Sequence, residues 1–351
     1  MTTSQPPDFH LNRPSSLIAA LPAVLGFVPE KSLVLVTVDR GEMGCVMRVD
    51  LSPDLVASLE HIAEVAASAR PDSAIAVVVD EAGAPCRMCN DEYRELAAAL
   101  TTSLAQRGIE LFAAHVVDKV AAGGRWHCAD GCGNGGVVDD PSASPLALAA
   151  VLDGRRLYGR RAELQEVIGV TDSARSAKLE SAIRKRAEKR CGAGPSDTVT
   201  RSDIKDAMAA AARVACGVEL SDARLTRLAC ALTEPLVRDT LYALAVGEDA
   251  AQAESLWAIL ARTLPDPWRV EALVLLAFSA YARGDGPLAG VSLEAALRCE
   301  PTHRMAGMLD TALQSGMRPE QIRELAVTGY RLADRLGVRL PLRRAFGRRA
   351  G

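Results

Sequence analysis

The sequence predicts an α/β amino half, with a mixed sheet and flanking helices, followed by an all-helical carboxyl half. Three observations predict it. Four strand-like runs rich in aliphatic residues fall between residues 32 and 117. The segments between the later runs carry apolar residues every three or four positions, the period of a helix. From Leu164 onward no convincing strand pattern recurs, and helical segments follow one another between Gly and Pro signals.

The elements follow in order. Residues 1–14 are expected to be a mobile arm. Pro14 then stands near a helix start, Leu17, Ala20, Leu21 and Leu25 make an apolar face, and Gly26 ends the helix. Ser32–Val38 is apolar on both faces, as a buried strand is. The turn Asp39-Arg-Gly-Glu42 leads to a second strand, Gly44–Leu51. Its alternation sets Cys45, Met47, Val49 and Leu51 on one face and Val46, Arg48 and Asp50 on the other. Leu55, Leu59, Ile62 and Ala66 share one helical face, and Ala74–Val79 is a buried strand. Tyr93, Leu96, Leu100 and Leu104 mark a further helix, and Ile109–Val117 another buried strand. The order β-β-α-β-α-β implies a mixed sheet covered by helices. Gly131–Gly136 is expected to be a flexible loop, after which Ser144-Pro145 caps a short helix ending at Gly154.

Division of the chain follows from these readings: an arm (1–14), an α/β domain (15–163), a helical domain (164–338) and an arginine-rich tail (339–351). Cys191-Gly-Ala-Gly-Pro-Ser196 is the clearest interior linker.

Composition excludes several classes. The 351 residues are 49% hydrophobic and 24% charged, with 41 Lys+Arg against 44 Asp+Glu and a net charge of −3. That is a folded chain, neither disordered nor collagen-like, and not a basic nucleic-acid coat. Aromatics at 4% are too few for stacking platforms along single-stranded nucleic acid. Glu180, Arg184 and Glu188 support one another along the basic helix Ala174–Arg190, and the arginine-rich tail reads as a solubilising end, so no specific nucleic-acid partner is expected. No apolar run is long enough to span a bilayer, Leu17–Val28 being interrupted by Pro22, so no membrane association is expected. Nine cysteines without an export signal point to cytoplasmic thiols or a metal site rather than a disulfide framework.

The first constellation with chemistry in it is Cys86-Arg-Met-Cys89 together with His127, Cys128 and Cys132. A Cys-x-x-Cys turn supplies two thiolates at the bite zinc needs, and the second pair has three intervening residues, a spacing metal sites tolerate. Cys86, Cys89, Cys128 and Cys132 are therefore candidate ligands of a structural zinc ion. A second use is redox: Cys86 and Cys89 precede a helix, whose amino terminus stabilises a thiolate. Reduced loop cysteines with no special duty make the least demanding reading.

Weaker signals complete the inventory. Gly131-Cys-Gly-Asn-Gly-Gly136 has the letters of a dinucleotide loop, but Val137-Val-Asp-Asp-Pro141 follows where a helix should start, and two acids repel phosphate. Arg155, Arg156, Arg160 and Arg161 cluster beside Tyr158, where guanidinium forks could grip an anion or simply pair with Glu163. Arg48 and Asp50 project from one strand face, as a pocket lining or as a cross-sheet pair. Arg48, Asp50, Arg160 and Arg161 are the candidate ligand-binding set. The five histidines form no catalytic set by spacing: His115 lies in an apolar run as a core residue, His61 flanks a helix and His303 follows Pro301 at a helix start. No nucleophile elbow, zincin or phosphate-loop motif is present.

In the carboxyl half Pro267 and Pro301 lie 34 residues apart. Leu273, Ala277, Ala289, Leu293 and Ala296 occupy positions between them where small or aliphatic residues recur, and Gly284-Asp285-Gly286 makes the turn. This segment, roughly Ala250–Arg331, resembles a short tetratricopeptide-like bundle. Over nearly the whole chain, Arg13-Pro14 with Leu17–Pro22, Leu25-Gly-Phe-Val-Pro29 and Ser32-Leu-Val34 resemble the opening of a widespread actinobacterial family catalogued as a domain of unknown function. Arg48–Leu51, Gly124-Arg-Trp126 before Cys128, Gly154 with Arg161–Leu164, and Gly284-Asp-Gly286 with Pro301 extend the resemblance. Family members commonly carry adjacent cysteines followed by proline after the aromatic-cysteine segment, and Cys128-Ala-Asp-Gly-Cys132-Gly departs from that pattern. The resemblance implies a bacterial cytosolic protein and brings no activity. The expected role is a non-catalytic ligand- or protein-binding module whose helical half receives a protein partner. The alternative is a thiol-dependent redox protein or enzyme using Cys86 and Cys89.

Overall fold

Pro14 at the first helical turn and Gly26 in the left-handed region bound α1 (Pro14–Leu25), as the sequence predicts. A computed structural model describes residues 13–68, 70–152, 155–191 and 196–344. The expected mobile arm up to residue 12, the helix end at Gly154, the linker core 192–195 and the tail beyond Arg344 lie outside the described residues. Two compact units divide the chain between Glu163 and Leu164.

The first unit is a six-stranded mixed sheet in the order β2-β1-β3-β4-β5-β6. β1 (Ser32–Asp39) pairs antiparallel with β2 (Glu42–Asp50) on one side and with β3 (Ser73–Val79) on the other. Between them in sequence, α2 (Leu55–Ala67) follows β2. α3 (Arg87–Ala105) then connects β3 to its parallel neighbour β4 (Glu110–Val117). One face of the sheet is covered by α2 and α3. There Leu33, Leu35, Ala76 and Val78 meet Leu59, Ile62, Leu96, Leu100 and Leu104, with Met47, Val49 and Leu51 packed at the margin as the alternation in β2 requires. On the opposite face, Val34, Val36, Ile75, Val77 and Val117 are just as buried. α1 lies on that side, where the Trp126 indole donates to Ser15 Oγ at 3.1 Å.

Two strands beyond the expected four complete the sheet. β5 (Arg125–Cys128) pairs antiparallel with the last three residues of β4, and β6 (Gly135–Val137) pairs antiparallel with β5. The stretch Gly131–Gly136, expected to be a flexible loop, is thus the turn and outer start of a hairpin. The beginning of β4 is not buried as predicted: the β3–β4 register shifts there, skipping Phe112, which is 63% exposed. A 3-10 turn (Pro141–Ala143) and α4 (Pro145–Leu152) follow.

The short α5 (Arg161–Glu166) crosses the division, and the second unit is all helical. It continues with α6 (Ser173–Cys191), α7 (Asp197–Ala215), α8 (Asp222–Leu232) and α9 (Pro235–Leu241). After a 3-10 turn (Tyr242–Val246) come α10 (Ala250–Thr263), α11 (Arg269–Arg283), α12 (Gly286–Cys299), α13 (Arg304–Gln314) and α14 (Pro319–Leu336). α11 is the central rod, buried almost continuously from Val270 to Ala282 and packed against α10, α12 and the 3-10 turn. A helix apolar on all sides has to lie inside a bundle. Its end is set by Gly284, and Asp285 caps α12 by accepting from the Leu288 N–H at 3.1 Å. Among the described residues no helix is long and apolar enough to cross a membrane.

Two glycines in the last helices give opposite expectations. A Cβ on Gly329 would stand 2.7 Å from the Thr240 carbonyl oxygen and 2.9 Å from Ala243 Cβ, backbone and side chain that have little room to yield. A Cβ on Gly307 meets nothing within 4 Å. Gly329→Ala is expected to lower stability by about 1–3 kcal/mol through overpacking. Gly307→Ala is expected to raise it by about 0.5–1 kcal/mol through the helix propensity of alanine. Thermal unfolding of the two variants checks both signs.

Candidate metal centre

The hairpin turn between β5 and β6 gathers Cys128, Asp130 and Cys132, whose donor atoms all lie within 4.8 Å of one another. Local backbone chemistry explains the gathering. The Cys128 N–H donates to the Asn134 carbonyl at 2.9 Å and closes the turn. Inside it, the Asp130 carboxylate accepts from the Cys132 N–H at 2.9 Å, an Asx turn that draws the Cys132 backbone onto Asp130. Gly131 (φ +76°) and Gly133 (φ +85°) take left-handed conformations on either side of Cys132, which is why glycine alternates here. Beyond the turn, a Cβ on Gly136 would press on the Trp126 indole at 3.0–3.2 Å. These glycines serve the hairpin, and β6 stands where a dinucleotide loop would need a helix.

An imidazole on β4 approaches one of the three, Cys128. His115 and Cys128 are paired across β4 and β5, so both side chains leave the same face, and His115 Nδ1 lies 3.8 Å from Cys128 Sγ. His115 is 5% exposed and its ring stands edge-on to Trp126 with centroids 5.2 Å apart. Tetrahedral zinc with ordinary bond lengths separates a sulfur and a nitrogen ligand by about 3.5 Å. The observed separation is close to that. His115 reads in sequence as a core residue, and it is buried; its approach to Cys128 follows from the strand register, which a sequence does not display.

Electrostatics set Cys128, Asp130 and His115 apart from their ordinary behaviour. Burial, with Cys132 and the Asp130 charge adding to it, pushes the Cys128 thiol up to about 11. The Cys132 N–H and thiol hold Asp130 below the ordinary carboxylate range. Burial lowers His115 and keeps the imidazole neutral, with Asp130 opposing it. A neutral imidazole is the ligating form.

Cys86 and Cys89 stand outside this group. Cys86 is the N-cap of α3 and its sulfur accepts from the Cys89 N–H at 3.5 Å. The pleat explains the separation. Cys128 points to the face that carries α1, while its neighbour His127 points to the face that carries α3. His127 Nε2 accordingly reaches Asn90 Oδ1 at 2.9 Å. The Asn90 amide donates to the Ala84 and Cys86 carbonyls, so its oxygen must accept and His127 Nε2 must carry the proton. Below the dithiol, Tyr93 donates to Asp80 at 2.7 Å. Burial works to raise Asp80, but this bond and the Gly83 and Ala82 N–H groups outweigh it and hold the carboxyl low. Cys86 is lowered, first by the Cys89 thiol and then by the Cys89 N–H, and Cys89 is raised by Cys86 and by burial.

The candidate anion residues fall on β2 and around the start of α5. Arg48 pairs with Asp50 and donates to the Glu30 carbonyl at 3.3 Å. Arg156 stacks over Tyr158 at 5.2 Å, Arg160 is exposed, and Arg161 opens α5. Glu163 accepts from the Gly159 N–H at 2.9 Å.

A family model described as a domain of unknown function (DUF4192) matches residues 14–320. No curated protein and no solved structure matches the chain.

Proposed function

The chain belongs to the DUF4192 family, a domain of unknown function, and from its own geometry we propose that it is a cytoplasmic binding protein whose β5–β6 turn holds a zinc ion in a structural, non-catalytic role. The carrying observation is the convergence of Cys128, Asp130 and Cys132 within 4.8 Å, with His115 3.8 Å from Cys128. Two thiolates, a carboxylate and an imidazole are a donor set zinc accepts. This differs from a four-thiol site by leaving out Cys86 and Cys89. A zinc titration distinguishes the two: Cys86→Ser keeps the affinity under the proposal and loses it under the four-thiol site. Binding displaces thiol protons, so affinity is expected to fall at least about tenfold per unit as pH drops below neutrality. A flat pH profile would contradict ligation by the thiols.

The second unit is the partner-binding part in this reading. Support comes from the α11–α12 pair, which meets at the Gly284-Asp285 turn as in a tetratricopeptide-like hairpin, and from the exposed apolar Met308 and Leu325 on the last two helices. Met308→Glu with Leu325→Glu is expected to remove a co-purifying protein without changing helix content. Retention of the partner by that double variant would place its contact elsewhere.

A further inference from the structure

We propose that Cys86 and Cys89 form a thiol–disulfide exchange site at the amino end of α3, with Cys86 as the attacking sulfur and Cys89 as the resolving one, acting on a disulfide of another polypeptide. This goes beyond the metal site and uses different sulfurs. Residues one helical turn apart bring their Cα atoms within the span of a disulfide. The pair is already joined at the cap, for Cys86 Sγ accepts from the Cys89 N–H at 3.5 Å. Their surroundings differ as the two roles require. Cys86 sits at the helix cap, partly exposed, where the backbone N–H groups of the first turn face it. Cys89 packs against the core cluster between α3 and the sheet.

The frame around the pair is held by other groups. Asn90 fixes the Ala84 and Cys86 carbonyls and is itself fixed by His127. Between the two cysteines, Met88 is 75% exposed, an apolar side chain in the path of any arriving chain. Its position favours a polypeptide substrate.

The electron balance is that of ordinary exchange. The Cys86 thiolate attacks one sulfur of the substrate disulfide, a mixed disulfide forms, and the departing sulfur takes a proton. Cys89 then loses its proton and attacks Cys86 Sγ, closing the Cys86–Cys89 disulfide and releasing the second substrate sulfur as a thiol. Two electrons and two protons pass from the protein to the substrate. A low-molecular-weight thiol such as glutathione returns the pair to the reduced state.

The test uses the full chain, treated with a disulfide-bonded peptide and, separately, with glutathione disulfide, and maps the products by mass spectrometry. Wild-type protein is expected to end with the Cys86–Cys89 disulfide. Cys89→Ser is expected to stop at a stable mixed disulfide on Cys86. In Cys86→Ser, Cys89 is expected to react at least about tenfold more slowly than Cys86 does in the wild type. Met88→Gln is expected to slow the peptide reaction and leave the glutathione reaction unchanged. The same pattern is expected in a Cys128→Ser background, so loss of zinc binding leaves this result intact. A wild-type adduct that never closes, or a Cys89 as reactive as Cys86, would overturn the exchange site. Equal slowing of both substrates by Met88→Gln would overturn the polypeptide assignment.

Discussion

Trp257→Ala lowers the stability of the helical unit by about 3–5 kcal/mol, the range for truncating a fully buried tryptophan. Trp257 is 0% exposed and lies on α10, which packs against α7 and α11. Truncation removes the transfer free energy of the indole and leaves a void that rigid helices close only in part. One further detail sharpens the expectation. Among the described residues the Trp257 Nε1 has no hydrogen-bond partner. A buried orphan donor costs on the order of 1–3 kcal/mol, so Trp257→Phe removes that penalty while keeping most of the apolar volume. Chemical denaturation is expected to rank the variants with alanine far below phenylalanine. Equal losses would mean that the site collapses freely around either side chain.

Zinc affinity of the first unit falls at least about a hundredfold in Cys128→Ser, since a thiolate ligand is replaced by a hydroxyl that zinc accepts poorly. His115→Ala is expected to weaken binding by a smaller factor, about tenfold to a hundredfold, because an imidazole lost from one corner can be replaced by water. Cys128 is the severer case because it lies within reach of every other donor: Asp130 and Cys132 in the turn, and His115 across the ladder at 3.8 Å. Competition with a chromophoric chelator measures both. Undiminished affinity in Cys128→Ser would remove the hairpin turn as the site.

Much of this fold is legible in the sequence, and the physical reason is local. Pro14 and Gly26 bound α1 because each satisfies a backbone requirement at one residue. Ser32–Val38 reads as a buried strand because both of its faces are apolar, and Met47, Val49 and Leu51 read as core-facing because a pleat alternates. The second hairpin is not legible. β5 is four residues long and includes a histidine and a cysteine, and β6 is Gly-Gly-Val, so neither carries a strand composition. Only the ladder that runs from β4 to β5 and from β5 to β6 makes them strands.

The candidate site divides along the same line. The Cys128–Cys132 spacing is visible, and Asp130 stands between them in plain sight. His115 is not visible as a donor, because an apolar run around a histidine describes a core residue equally well. Its meeting with Cys128 follows from the register of β4 against β5. That register also sends Cys128 away from α3, which leaves Cys86 and Cys89 as a pair by themselves. Sequence spacing carries no information about which face of a sheet a later strand presents.

The central claim is that the β5–β6 turn holds zinc through Cys128, Asp130, Cys132 and His115. Its most direct test is metal content by mass spectrometry on protein purified under reducing conditions, with a thiol count on the native chain. The account predicts near-stoichiometric zinc, with Cys128 and Cys132 protected from alkylation and Cys86 reactive. Protein free of metal, with Cys128 and Cys132 alkylated as readily as Cys86 even after zinc is added, would contradict it.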